Sequence, residues 1–233
     1  MEIRVFATPD TLHAGALDGY AAVVIDALRM TSVAAVAIEN GCVGIRGVQE
    51  VEEACAVAKE CGALTGGERD AVRIPGFDFD NSPLAYTRER VAGHRLVMTT
   101  SNGTRAIHGA WEADRLLLGA FINANAVAEA VLPEEKVALV CAGTLGAFSL
   151  EDALAAGAIL GRLAGRCSLT PDDMAVAVLS LYEHAGGNLH RALAGGRHYN
   201  RLKGMGLAAD VDFCLMEDTV RAVPERRQDG WFA

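Results

Sequence analysis

Three times along this chain an apolar run stops abruptly at small, hydroxyl or charged residues, just ahead of a helix start. The runs are Val23-Val24-Ile25-Asp26 before Arg29-Met30-Thr31-Ser32, Leu96-Val97-Met98-Thr99 before Ser101-Asn102-Gly103-Thr104-Arg105, and Leu139-Val140-Cys141 before Gly143-Thr144. An unbroken apolar run fits a strand buried on both faces, as in parallel α/β sheets. Such sheets collect ligands outside the carboxyl ends of their strands. The helices that follow point free N–H groups and the positive end of the macrodipole at the same place. The pattern predicts a site for an anion, and the residues supplied suit a phosphate.

Extending the reading predicts strands at residues 3–6, 21–26, 42–48, 95–100, 115–119 and 137–142, with a further one near 221–223. Helices are predicted to begin near Thr31, Gln49, Thr104, Asn123, Leu150 and Pro171. Ser149, with Asp152 three residues on, reads as a helix cap, and Thr170-Pro171 as a cap followed by proline at the first helical position. Alternating strands and helices imply a three-layer α/β/α fold with a largely parallel or mixed sheet. We expect one domain over residues 1–233, with a division into two similar lobes, about 1–118 and 119–233, left open. Residues 66–90 break the rhythm and read as a long ordered loop, a kind of segment that is usually functional.

The net charge of −9, from 21 basic against 30 acidic residues, argues against nucleic acid or an anionic membrane as partner. No apolar run reaches the roughly 18 residues of a membrane span. Met1-Glu2-Ile3-Arg4 leads directly into a strand pattern rather than a secretory signal. The expectation is a cytoplasmic protein acting on a small anionic molecule, with a homodimer expected only because dimers are common. The six cysteines contain no C-x-x-C pair, and Cys55 and Cys61 read as core positions of one helix face.

Asp26 leaves the core where a ligand crevice should open, with Arg29, Thr31 and Ser32 at the next helix start. It reads either as a metal ligand or nucleophile, or as a capping acid paired with Arg29. The second acid of a haloacid-dehalogenase-type motif is absent, since position 28 is Leu28. The 66–90 segment carries Glu68, Asp78 and Asp80 together with Arg69 and Arg73. Carboxylates suit Mg²⁺ and arginine forks suit phosphate oxygens; the alternative is a solvated loop whose charges pair with one another. Asn102-Gly103-Thr104, with Ser101 and Arg105, reads as an anion loop or as a cap and turn. Glu151, free of capping duty, could reach a metal. The histidines show no metal spacing, and His198 stands out only for its neighbours Arg197 and Arg201.

Taken in series, Val24 to Ser32, Gly67-Glu68-Arg69, Gly76-Phe77-Asp78 with Asn81-Ser82-Pro83, and Thr100 to Arg105 resemble the 2-phosphosulfolactate phosphatases. Asn123-Ala124, Cys141 to Thr144 with Phe148 to Asp152, and Asp210 through Cys214 extend the resemblance over roughly residues 20 to 225. It implies Mg²⁺-dependent hydrolysis of 2-phospho-3-sulfolactate, a step of coenzyme M biosynthesis in methanogens, on a three-layer α/β fold. On that basis Asp26, Glu68 and Asp78 would hold Mg²⁺, with Glu151 joining through water. Asp26, Arg29, Glu68 and Arg69 would be catalytic. Thr31, Ser32, Asn81, Ser101, Asn102, Gly103, Thr104, Arg105, Gly143 and Thr144 would bind substrate. Ala147 stands where the family often has a basic residue.

Overall fold

The computed structural model describes residues 1–233. Its strands are β1 (Glu2–Phe6), β2 (Ala21–Ile25), β3 (Gly44–Gly47), β4 (Leu64–Arg69), β5 (Val72–Arg73), β6 (Arg95–Thr99), β7 (Arg115–Gly119), β8 (Lys136–Cys141) and β9 (Thr170–Pro171). The helices are α1 (Met30–Glu39), α2 (Val51–Cys61), α3 (Arg88–Val91), α4 (Gly103–Gly109), α5 (Ala124–Val131), α6 (Leu150–Ala164), α7 (Asp173–Ala185), α8 (Leu189–Leu193), α9 (Arg197–Gly204) and α10 (Ala208–Cys214). None is long and apolar enough to cross a membrane.

Five strands form an all-parallel sheet in the order β7-β2-β8-β1-β9. The interior strand β2 shows why its run is unbroken. Ala21, Val23 and Ile25 pack into a core with α5, α6 and α7, while Ala22 and Val24 pack into another with α1 and α4. Helices on both faces make this a three-layer α/β/α arrangement. Beyond α1 and α4 lies a second sheet, β3-β6-β4-β5, parallel except for the β5 edge. Leu96 and Met98 of β6 face the shared core, and Val97 faces α2. Because β8 pairs with both β1 and β2, residues before and after 118 share one sheet.

Four readings of the sequence need correction, the exposure of Cys55 among them. Residues 64–69 are a strand inside the second sheet, not the start of a loop. Two glycines hid it. A Cβ at Gly66 would lie 2.3 Å from the Tyr86 hydroxyl, and one at Gly67, where φ is +144°, would lie 1.9 Å from the Thr99 carbonyl oxygen. The close fit excludes the side chains that would have given an apolar signal. Second, no strand forms at 221–223; the chain meets β7 just beyond, in an isolated bridge between Glu225 and Leu117. Third, Thr170-Pro171 pairs with Glu2 and Ile3 as β9, and α7 is capped instead by Asp172, which accepts from the Ala175 amide at 2.7 Å. Ser149 does cap α6, accepting from the Asp152 amide. Cys55 is exposed, because α2 buries only Ala54 and Ala58.

Candidate active site

The chain leaves β2 through a turn clasped by its own hydroxyls. Thr31 Oγ1 donates to the Asp26 carbonyl at 2.9 Å and accepts the Asp26 amide at 3.1 Å, and Ser32 Oγ donates to the Ala27 carbonyl. Both residues are fully buried, so they shape the turn and do not meet a substrate. The clasp leaves the Asp26 carboxylate at the mouth of a cleft, with only a long contact from the Met30 amide at 3.4 Å. Gly103 backs it closely: a Cβ there would lie 2.5 Å from Asp26 Oδ2.

Two more buried acids stand beside Asp26, both from the first turn of α6. Asp152 accepts the amides of Ala27 at 3.0 Å and Gly143 at 3.1 Å, tying the ends of β2 and β8 together. Gly143 therefore has no amide free for a substrate anion. Glu151 is 2% exposed, and its Oε1 has no donor at all. Burial, aided by the Glu68 and Glu151 charges and opposed by His198, raises Asp26 to about 6. Burial also raises Glu151, and burial together with Asp26 and Glu151 holds Asp152 well above the carboxylate range. None of the three forms an ion pair with a basic side chain. Buried carboxylates without a counter-charge repel one another, and burial disfavours the charged form of each.

The second sheet supplies the opposite wall. Glu68, at the end of β4, accepts from the Ser101 amide at 2.8 Å, the Ala71 amide at 2.6 Å and Ser101 Oγ at 3.3 Å. It thereby pins the Asp70–Ala71 turn, whose positive φ values of 57° and 65° are unusual for residues with a Cβ. Asn102 lines the cleft while its Oδ1 accepts the Leu145 amide at 3.1 Å. Thr144 and Asn81 line it too, and Asn81 Oδ1 is buried without a partner.

Two arginines and a histidine face these acids. Arg29 pairs with Asp210 of α10, which Ser82 Oγ also meets at 2.7 Å. His198 and Arg201, from α9, complete the wall, and sequence reasoning missed both as site residues. His198 Nε2 sits 3.0 Å from the Leu28 carbonyl, and its buried Nδ1 has no partner. Arg201 holds the Asp70 carbonyl oxygen at 3.2 Å and Oδ1 at 3.3 Å. The only sequence signal for the pair was a basic cluster around a lone histidine.

Other expected site residues lie elsewhere. Asp78 is exposed and accepts the Thr65 amide and hydroxyl, both at 2.8 Å, because the Gly66–Phe79 bridge sets it beside the middle of β4 rather than its end. It does not line the cleft. Arg69 turns to a neighbouring depression, donating to the Gln49 carbonyl at 2.7 Å and Thr99 Oγ1 at 2.9 Å. Thr104 and Arg105 border the same depression. Thr104 Oγ1 donates to the Thr100 carbonyl at 3.0 Å, and Arg105 pairs with Asp10 at 3.0 Å. That depression meets the cleft only at Ser101.

The profile of one protein family, described as 2-phosphosulpholactate phosphatase, matches residues 6–229. The chain belongs to that family. Among its relatives, a protein of Clostridium novyi (strain NT) is 42% identical over 206 residues, covering 87% of each chain. One from Caldicellulosiruptor saccharolyticus is 43% identical over 218 residues, 90% of each, and one from Clostridium acetobutylicum is 38% identical over 229 residues, 97% of each. All three bear the name probable 2-phosphosulfolactate phosphatase. Such enzymes are phosphoric monoester hydrolases, and the family's phosphate chemistry matches a cleft that sets arginines and a histidine opposite buried carboxylates.

No three acidic or histidine side chains are gathered closely enough to cage a metal ion by themselves. Mg²⁺ does not require such a cage. It commonly takes one or two carboxylates and completes its shell with water and substrate phosphate. The all-oxygen donor set of Asp26 and Glu151, with its orphaned Oε1, fits that demand.

Proposed function

We propose that the protein is a Mg²⁺-dependent phosphatase that hydrolyses 2-phospho-3-sulfolactate to 3-sulfolactate and phosphate. The observation that carries this reading is the set of unpaired buried acids, Asp26, Glu151 and Asp152, beside a cleft that also presents Arg29, His198 and Arg201. The names of the relatives supply the substrate. Asp26 and Glu151 would hold the Mg²⁺, which when bound offsets phosphate charge and favours attack by water.

The chain's own groups divide the remaining work. Arg29, fixed by Asp210, and Arg201, released from Asp70, grip phosphoryl oxygens as charge spreads over them. His198 holds protons. With Nε2–H donating to Leu28, the neutral ring keeps an unprotonated and unpartnered Nδ1, able to accept the proton lost by an attacking water. Burial lowers the His198 pKa, which keeps the ring in that neutral form. Glu68 positions Ser101 and the Asp70–Ala71 turn. The test is phosphate release from 2-phospho-3-sulfolactate with Mg²⁺ and with EDTA. Release that requires Mg²⁺ supports the reading, and no release under either condition overturns it.

A further inference from the structure

The cleft has a volume of about 30 Å³, room for roughly two waters but not for a phosphate ester. Some contact along it must give before a substrate enters. Two Arg–Asp pairs lie there, and they differ in kind. Arg29 and Asp210 are both buried, so that pair is a fixed part of the wall. The side chains of Arg201 and Asp70 are 40% and 82% exposed. One Nη of Arg201 makes both contacts, to the Asp70 carbonyl oxygen at 3.2 Å and to Oδ1 at 3.3 Å, and no other protein acceptor meets the guanidinium. An exposed pair of this kind is weak and readily exchanged.

Asp70 itself is firmly placed. The register Glu68↔Arg73 and Arg69↔Val72 leaves Asp70 and Ala71 as a two-residue turn between β4 and β5. Both residues have positive φ, the backbone that such short hairpins favour. Glu68 accepts the Ala71 amide at 2.6 Å, and the Asp70 amide donates to Ser101 Oγ at 3.4 Å. The turn thus sets a carboxylate against the Arg201 side of the cleft. Like a phosphoryl oxygen, that carboxylate offers an anionic acceptor to a guanidinium.

We propose that Asp70 is an internal competitor for Arg201. It holds the guanidinium in the free protein, yields it to the phosphoryl group of an entering substrate, and takes it back as product phosphate leaves. The proposal rests on the phosphatase reading for the identity of the anion. One anion replaces another on Arg201, and no covalent bond forms or breaks. Asp70 is a positioning residue: it acts through Arg201, and its charge opposes binding and favours release.

The test is a double-mutant cycle on Asp70→Asn and Arg201→Ala, read by calorimetric titration of inorganic phosphate in Mg²⁺ and by phosphate inhibition of turnover. Asparagine also tolerates positive φ, so the turn is kept. Asp70→Asn should bind phosphate about two- to fivefold more tightly than the wild type, the range for one exposed ion pair. Its turnover should be inhibited at correspondingly lower phosphate. In the Arg201→Ala background the same substitution should bring no gain, whether phosphate still binds weakly or not at all. An equal gain in both backgrounds is a general effect of the lost charge and overturns the proposal. Weaker or unchanged binding in Asp70→Asn overturns it too, as does phosphate that binds none of the four proteins. Hydrolysis of 2-phospho-3-sulfolactate with an unchanged phosphate affinity in Asp70→Asn fails the exchange alone. A gain that depends on Arg201, with no ester hydrolysed by any of the four, supports the exchange and fails the phosphatase reading alone.

Discussion

Arg29, at the end of the β2 turn, and Asp210, on α10, form an ion pair whose side chains are only 2% and 7% exposed. The pair joins residues 181 positions apart and holds the last helix of the chain against the cleft. Removing one member of a buried pair leaves the other charged and desolvated, at a cost of about 3–5 kcal/mol. Asp210→Asn should therefore lower stability by roughly 3 kcal/mol, read as an earlier urea midpoint with an unchanged slope. A midpoint equal to that of the wild type would show that the pair does not anchor α10.

Asp26 should trade stability for turnover. Its folded-state pKa of about 6 lies above the ~3.9 of an unfolded aspartate. Its contribution to stability is thus fully present below about pH 4 and is lost as pH rises through about 6, a loss of roughly 3 kcal/mol at most. In EDTA, Asp26→Asn should melt above the wild type at pH 8 and level with it at pH 4, while its turnover falls by about 10³ or more. A variant that fails to fold would reassign Asp26 to structure.

Magnesium should act on the same acids. A ligand that binds only the native state, at ten times its Kd, adds about 1.4 kcal/mol. Melting of the wild type at pH 8 should rise by a few degrees with saturating Mg²⁺, and Glu151→Gln should lose most of that rise. An equal rise in both proteins would remove Glu151 from the metal's surroundings.

Gly103→Ala tests how closely Asp26 is positioned. The added Cβ would meet Asp26 Oδ2 at 2.5 Å and Met30 Cβ at 2.9 Å, so the carboxylate must move. Displacements of about 1 Å in a reacting group can reduce rates by about 10². We expect kcat to fall by that order while the protein still folds. Full activity would mean that the carboxylate's position does not matter.

Asp78 provides the contrast. It serves the Thr65 amide and hydroxyl at the surface, and Asp78→Asn should retain turnover within about twofold with a stability loss near 1 kcal/mol. A large drop in Mg²⁺-dependent rate would return Asp78 to the metal.

The crevice was legible because strand ends announce themselves: the apolar runs stop at Asp26, Thr99 and Cys141, where the ligand space opens. What the sequence concealed followed from contacts rather than composition. Thr31 and Ser32 look like anion-binding hydroxyls, yet their bonds go to backbone carbonyls one turn away. Glu68 and Asp78 share a segment and a charge, and only the register of β4 separates a strand-end acid from a mid-strand one. The two glycines of β4 erased the pattern that would have revealed this register. His198 reaches Leu28 across 170 residues, a pairing with no local signature.

The cleft begins at Asp26 and Arg29, and its opposite wall is completed by His198, Arg201 and the Asp210 that secures Arg29. One cleft is thus drawn from segments 181 residues apart, joined where Arg29 meets Asp210. A chain cut before α9 would lose His198, Arg201 and the partner of Arg29 at one stroke, and with them the wall that faces the acids.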